Sequence, residues 1–245
     1  MTDIVIPPLP QGALDNFSEE VRPCIERLIA HTPERHDLSV HPQSKLAAVL
    51  VLLYEQAGEL RVLLTTRSKA LRTHAGQTAL PGGRLDDVDK NLINTAYREA
   101  HEEVALPLES PHIHTIGVLE PFISLHRIVV TPVLAILTHP SVLNQLRASE
   151  NPTLARSEAL AEQGTENWPY DSELYNTSDS ATYGNVIYRM HRLRTSASPV
   201  KGLTADILIK TAQIAFQQDT VYERYAPQQL QTFAEMSRFV VALNA

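Results

Sequence analysis

The order of elements along this 245-residue chain predicts an α/β fold, helices packed on both faces of a mixed sheet. Three observations carry that expectation. Apolar, β-rich runs recur at residues 45–67, 127–137 and 183–193; helix-type spacing of apolar residues recurs at 18–32, 91–104 and 202–216; and the two kinds of segment interleave, as neither a bundle nor an all-β domain would.

Residues 1–16 are proline-rich and irregular. "SEEVRPCIERLIAHT" (18–32) offers a serine cap and early acids, with Pro23 tolerated in a first turn. "KLAAVLVLLYEQAGELRVLLTTR" (45–67) places two apolar runs around Gln56-Ala57-Gly58, the pattern of a hairpin. A turn-rich stretch with Gly76, Pro81, Gly82 and Gly83 leads into a helix over 91–104, which stops before Pro107. "RIVVTPVLAIL" (127–137) reads as a buried strand in which Pro132 implies an edge, a bulge or a break. "YGNVIYRMHRL" (183–193) predicts a further strand, and "GLTADILIKTAQIAF" (202–216) a helix. Residues 141–182 are polar and poor in β-branched residues, so an insertion with short helices, or a mobile loop, is expected there. The domain plan is an extension with one helix at 1–40, a main domain at 41–220 containing that insertion, and a helical tail at 221–245.

Composition excludes several classes. With 43% hydrophobic and 20% charged residues the chain can bury a sizeable core, and a formal charge of −7 disfavours nonspecific binding to nucleic acid or acidic membranes. Cys24 is the only cysteine, which rules out an internal disulfide and a cysteine metal cage. The N-terminus lacks the pattern of a signal peptide, and the longest apolar run, "LAAVLVLLY" at 46–54, is too short to span a bilayer. The expectation is a cytoplasmic protein acting on a small molecule, with no pattern that sets an oligomeric state.

"REAHEEVAL" (98–106) concentrates charge. Glu99, Glu102 and Glu103, at i, i+3 and i+4, share one side of a helix and repel by roughly 0.2–0.5 kcal/mol per pair. Water and salt offset that on a solvated face. A hard divalent cation, Mg²⁺ or Mn²⁺, offsets it at a site shared with phosphate oxygens. From Leu60 to Leu85, by contrast, there is no acid, while Arg61, Arg67, Lys69, Arg72 and Arg84 are basic. A solvated loop is one reading; the other is a cradle for a diphosphate lying between the arginines and the acidic cluster, entered past Gly82 and Gly83.

"GGRLDDVDKNLINTAYREAHEEVAL" (82–106) resembles the Nudix box, the signature of hydrolases that cleave nucleoside diphosphates linked to another moiety. The resemblance implies an α/β/α sandwich with a mixed sheet and a loop-helix-loop catalytic segment whose glutamates bind Mg²⁺ or Mn²⁺. Residue by residue, Gly83 stands at the leading glycine, Arg98 and Glu99 at the Arg-Glu pair, and Glu102 and Glu103 at the Glu-Glu pair. Fourteen residues separate Gly83 from Arg98, one more than in the general box, so the upstream glutamate falls at Asp89 or Lys90, with Asp89 the stand-in; the late glycine is Ala105.

The segment at 63–83, "LLTTRSKALRTHAGQTALPGG", is similar to a motif of the coenzyme A pyrophosphatase subgroup, which tolerates the longer box. Arg67, Ser68, Arg72, His74, Gly76, Gln77, Pro81, Gly82 and Gly83 fit it; Leu80 replaces a phenylalanine, and Lys201 stands where a tryptophan is expected. The resemblance covers residues 45–139 and 183–216.

What it implies is metal-dependent cleavage of coenzyme A or acyl-CoA to 3′,5′-ADP and (acyl-)4′-phosphopantetheine. Glu99 and Glu103 would be the main metal ligands, Glu102 a ligand or the base, with Glu120 an alternative base. Arg98, about 100° round the helix from Glu99, would orient a carboxylate. Arg67, Arg72, His74, Gln77, Gly82 and Gly83 would bind substrate, whereas Trp168 suits packing better than base stacking. Two rivals remain: a Nudix enzyme for ADP-ribose or a dinucleoside polyphosphate, and a non-catalytic ligand-binding module, against which the three retained glutamates stand.

Overall fold

The computed structural model describes residues 6–66, 77–146, 154–156, 175–182, 186–193 and 198–244. In chain order the elements are α1 (Arg22–Ala30), β1 (Leu46–Gln56), β2 (Glu59–Thr66), β3 (Thr78–Ala79), β4 (Gly82–Arg84), α2 (Leu92–Val104), β5 (Ile113–Val118), β6 (Phe122–Ile123), β7 (Val129–Leu137), β8 (Leu154–Arg156), β9 (Tyr175–Thr182), β10 (Val186–Leu193), β11 (Val200–Lys201), α3 (Leu203–Phe216) and α4 (Phe233–Asn244). No helix among the described residues is long and apolar enough to cross a membrane.

Strand periodicity decides the layering. In β1, Leu46, Ala48, Leu50 and Leu52 pack with Leu92, Ala96, Ala100 and Val104 of α2. The alternate residues Val51 and Leu53 pack with Ile25 and Leu28 of α1 and with Ala205, Ile207 and Ala215 of α3. A period of two in one strand thus feeds two cores, and the result is the α/β/α sandwich. Each fully buried leucine or isoleucine contributes roughly 1.5–3 kcal/mol. Phe233 and Val240 of α4 join the α2-side core, so the tail is packed rather than free.

The sheet is mixed. β1 runs parallel to β7, from Leu46 opposite Val129 to Tyr54 opposite Leu137, and antiparallel to β2 across the Ala57-Gly58 turn. At its start β1 also pairs with β4, which sets Gly83 opposite Ala48. β5 and β6 both pair with β7 on its other side.

Three expectations need correction. The first helix is Arg22–Ala30, capped at Val21 rather than at Ser18, whose carbonyl accepts the Arg22 N–H at 2.9 Å and whose hydroxyl accepts the Val21 N–H at 3.3 Å. Pro132 neither ends nor edges its strand: β7 is buried throughout, between β1 and β5. The Pro132 carbonyl accepts the Leu119 N–H at 3.0 Å, and since a strand residue directs N and O to the same side, the missing donor faces the interval between β5 and β6. The break falls in the neighbour.

Nor is segment 141–182 only short helices and loop. It holds the end of a 3₁₀ turn (Pro140–Gln145), β8, and the eight residues of β9, which pair in full with β10. β9 is polar because neither face is buried, which removes the alternation that marks a strand.

Candidate active site

The site is assembled where β4 meets α2. Asn91 caps α2, its side chain accepting the Asn94 N–H at 3.0 Å, and the apolar residues 92, 96, 100 and 104 anchor one side of the helix. Arg98, Glu99, Glu102 and Glu103 occupy the rest. Ala105 ends the helix in the left-handed conformation (φ 55°), bringing the Ala105 N–H to the His101 carbonyl at 2.8 Å and the Leu106 N–H to the Ala100 carbonyl at 3.3 Å.

Arg98 organises the acidic cluster. Its Nε and Nη2 grip Asp89 at 2.9 and 3.0 Å, Nη1 donates to Glu99 Oε1 at 3.0 Å and to Glu102 Oε1 at 3.2 Å, and Nη2 also reaches the Arg84 carbonyl at 3.0 Å. Asp89 further accepts the Thr95 hydroxyl at 2.9 Å and the Asp86 N–H at 3.0 Å. One guanidinium therefore ties the loop before α2, the strand β4 and two of the three glutamates together. The stand-in for the upstream glutamate spends its carboxylate on Arg98.

Electrostatics follow from this arrangement. Burial opposes charge on Asp89, but the hydrogen bonds from Arg98, the Asp86 amide and Thr95 outweigh it and hold the carboxyl below its usual range. Burial pushes Glu99 up, against the pull of Arg98 and with added repulsion from Glu102 and Asp89. Hydrogen bonds to Asp89 above all, then to Glu102 and Glu99, strengthen the hold of Arg98 on its proton. Glu102 is 57% exposed and Glu99 20%, so the two carboxylates meet different solvent environments.

Gly83 is required by close approach. A Cβ built there would lie within the Glu99 carboxylate, and one at Gly82 would strike the backbone of Ala48 and Val49. The glycine pair lets the β4 backbone lie directly against Glu99.

Among the described residues, no three His, Cys, Asp or Glu side chains converge into a preformed metal cage. The donors nonetheless fit a hard divalent cation, because Mg²⁺ takes one or two carboxylates and completes its shell with water and phosphate. Three glutamates within one helical turn, one of them seated in the gap that Gly83 leaves open, supply that set.

Gln77 lies just before β3, and Gly82 and Gly83 in β4, close to the glutamates; Arg67, Arg72, His74 and Trp168 lie outside the described residues. Glu120 sits between β5 and β6, where it accepts the Glu34 N–H at 3.4 Å. Leu80, the replacement for phenylalanine, is 5% exposed in the core with Val200 and Ala205. Thr95 went unpredicted: a threonine inside a helix carries no sequence signal for the carboxylate it holds.

Residues 44–152 match the family model described as "NUDIX domain". The chain is 32% identical over 216 residues to mitochondrial Nudix hydrolase 15 of Arabidopsis thaliana, covering 86% of this chain and 69% of the relative. It is 34% identical to chloroplastic Nudix hydrolase 22 of the same plant, covering 75% of this chain and 59% of that one. Against the uncharacterised Nudix hydrolase NudL of Klebsiella pneumoniae it is 45% identical over 111 residues, covering 45% of this chain and 54% of the relative. The chain thus spans between about half and about two thirds of the length of these relatives.

Proposed function

The chain belongs to the Nudix hydrolase family, and from that premise we propose that it is a diphosphatase that cleaves coenzyme A or a short acyl-CoA to 3′,5′-ADP and (acyl-)4′-phosphopantetheine. The observation that carries the hydrolytic part is the packing of Gly83 against Glu99 beneath the Arg98 network, which fixes a glutamate carboxylate against the β4 backbone. The substrate assignment is supported by the motif at 63–83, which lies upstream of the general box except for the shared Gly82 and Gly83.

Glu99, Glu102 and Glu103 would hold the divalent cation, which when bound would neutralise phosphate oxygens and acidify water. Arg98 touches no substrate in this scheme; it fixes the orientation of Glu99 and Glu102 and anchors the loop through Asp89. Glu102, the most exposed of the carboxylates that Arg98 grips, serves as ligand or base. Arg67 and Arg72 are assigned to the phosphates, and His74, Gln77, Gly82 and Gly83 to further contacts with the substrate.

The test is a panel of CoA, acetyl-CoA, dephospho-CoA, ADP-ribose and a dinucleoside polyphosphate, with products identified. CoA should exceed ADP-ribose by at least about tenfold in kcat/KM, which needs only about 1.4 kcal/mol of differential transition-state binding. Activity should require added Mg²⁺ or Mn²⁺, and Glu99→Gln and Glu103→Gln should each lose most of it. Faster cleavage of ADP-ribose or of the dinucleoside polyphosphate refutes the substrate; full activity in both variants refutes the metal ligands.

A further inference from the structure

A cavity lies at the end of the sheet where β1 and β7 begin, lined by residues of β6, β10, α3 and α4. Its wall is mostly apolar, with Phe122, Leu203, Met236 and Phe239 among the lining residues, alongside the polar side chains of Arg224 and Gln229 and one carboxyl. That carboxyl is Asp206, whose Oδ2 accepts the Tyr188 hydroxyl at 2.6 Å.

Three features define what such a cavity takes. The first is distance. Gly83 lies opposite Ala48, Ala48 opposite Thr131, and the neighbouring Val130 opposite Phe122. Three ladder steps separate the Gly83–Glu99 contact from the cavity wall, about 14 Å at the usual strand spacing. A ligand whose reacting bond is at Gly83 reaches the cavity only with an extended limb of about a dozen bonds.

The second is size. The cavity volume is about 100 Å³. An apolar void of about 150 Å³ accommodates benzene, so this smaller one excludes a nucleobase and admits an aliphatic end. The third is polarity: the Asp206 carboxyl, bonded by Tyr188 through Oδ2, sets an acceptor in a mostly apolar wall and fits a limb with an N–H close to its aliphatic end.

We propose that this cavity receives the apolar, amide-bearing limb of the substrate, the limb remote from the nucleoside, with Asp206 accepting an amide N–H. This assignment rests on the preceding reading of a two-limbed diphosphate substrate and adds the location of the second limb. ADP-ribose, whose limb beyond the diphosphate is a single sugar, is too short to reach it.

The experiment has an equilibrium arm and a kinetic arm, both on the full chain. Pantetheine, which is the proposed limb without any phosphate, is titrated and followed by NMR in the wild type, in Leu125→Trp, which obstructs the cavity from an exposed loop position (Leu125 is 44% exposed), and in Asp206→Leu. Saturable binding in the wild type that is lost in Leu125→Trp supports the site, and so does loss in Asp206→Leu. In the kinetic arm, the ratio of kcat/KM for CoA to that for ADP-ribose should fall at least about fivefold in Leu125→Trp, through KM rather than kcat. Absence of saturable pantetheine binding in the wild type overturns the proposal, as does binding unaltered by Leu125→Trp. Pantetheine binding that behaves as expected in a protein unable to cleave CoA supports the cavity assignment while refuting the substrate; that outcome separates the two readings.

Discussion

Replacing Arg98 with alanine tests whether one guanidinium holds the acidic loop in place. The substitution removes the two-pronged contact to Asp89 and single contacts to Glu99, Glu102 and the Arg84 carbonyl. Asp89 is only 3% exposed, so it stays behind as a buried charge, although the Thr95 hydroxyl and the Asp86 amide still bond it. Breaking a buried pair from one side costs about 3–5 kcal/mol. With the remaining donors to Asp89 and the 22% exposure of Arg98 reducing that figure, a loss of about 2–4 kcal/mol is expected. The assay is urea unfolding in metal-free buffer for wild type, Arg98→Ala, Asp89→Ala and the double variant, with ΔG taken from midpoints at unchanged slope. The coupling between the two positions should be about 1–3 kcal/mol. Glu102→Gln is the internal contrast, because its pairing is solvent-exposed and should matter by less than about 0.5 kcal/mol. If Arg98→Ala loses no more than Glu102→Gln, or the cycle shows no coupling, the guanidinium is not the anchor and the account of the site fails.

Two further predictions concern stability. Burial pushes Asp206 up to about 7 from an ordinary 3.8, against the Tyr188 hydroxyl and Arg224, which favour its charged form. The folded chain therefore holds a proton that the unfolded chain has released between those values, and stability falls as pH rises through that window, by at most about 4 kcal/mol. Asp206→Asn lacks the penalty: it should match the wild type near pH 4 and exceed it by at least about 1 kcal/mol at pH 8, and a difference that does not vary with pH would contradict the burial argument. Ala105 takes a left-handed conformation that glycine adopts without cost, so Ala105→Gly should stabilise the protein by about 0.5–1 kcal/mol in thermal or urea unfolding, and an equal or lower midpoint would show that the helix end is not strained.

Much of the fold was legible because apolar periodicity reports burial directly. The hairpin of β1 and β2 and the helix at 91–104 buried the residues their spacing marked, and the helix at 202–216 did so in part, with Phe216 left exposed. β9 was not legible, since a strand exposed on both faces is held by backbone hydrogen bonds that leave no trace in side-chain pattern. The effect of Pro132 was half legible. A missing donor can be read from a sequence, whereas the strand that steps away to accommodate it lies in a different segment, at 119–121. At the site, the spacing of Glu99, Glu102 and Glu103 placed them on one helix, and Gly83 was singled out from its motif. That Asp89 serves Arg98, and that Thr95 serves Asp89, depends on how the loop at 85–90 folds back on the helix, a three-dimensional closure with no period to detect.

The parallel pairing of β1 with β7 also bears on how the molecule comes into being. Leu46 and Val129 are partners across about 80 intervening residues, and closing a loop of that length carries an entropic cost before any contact rewards it. Folding governed by so non-local a contact is slow compared with that of helical bundles of similar stability. β4 and α2, which bear Gly83 and the glutamates, lie wholly inside this loop. During synthesis the acidic helix emerges well before β7 exists to complete the sheet beneath it. Until then its apolar stripe lacks the sheet it packs on and its three carboxylates have no fixed geometry, so the arrangement proposed here for a cation arrives only once that part of the core has formed.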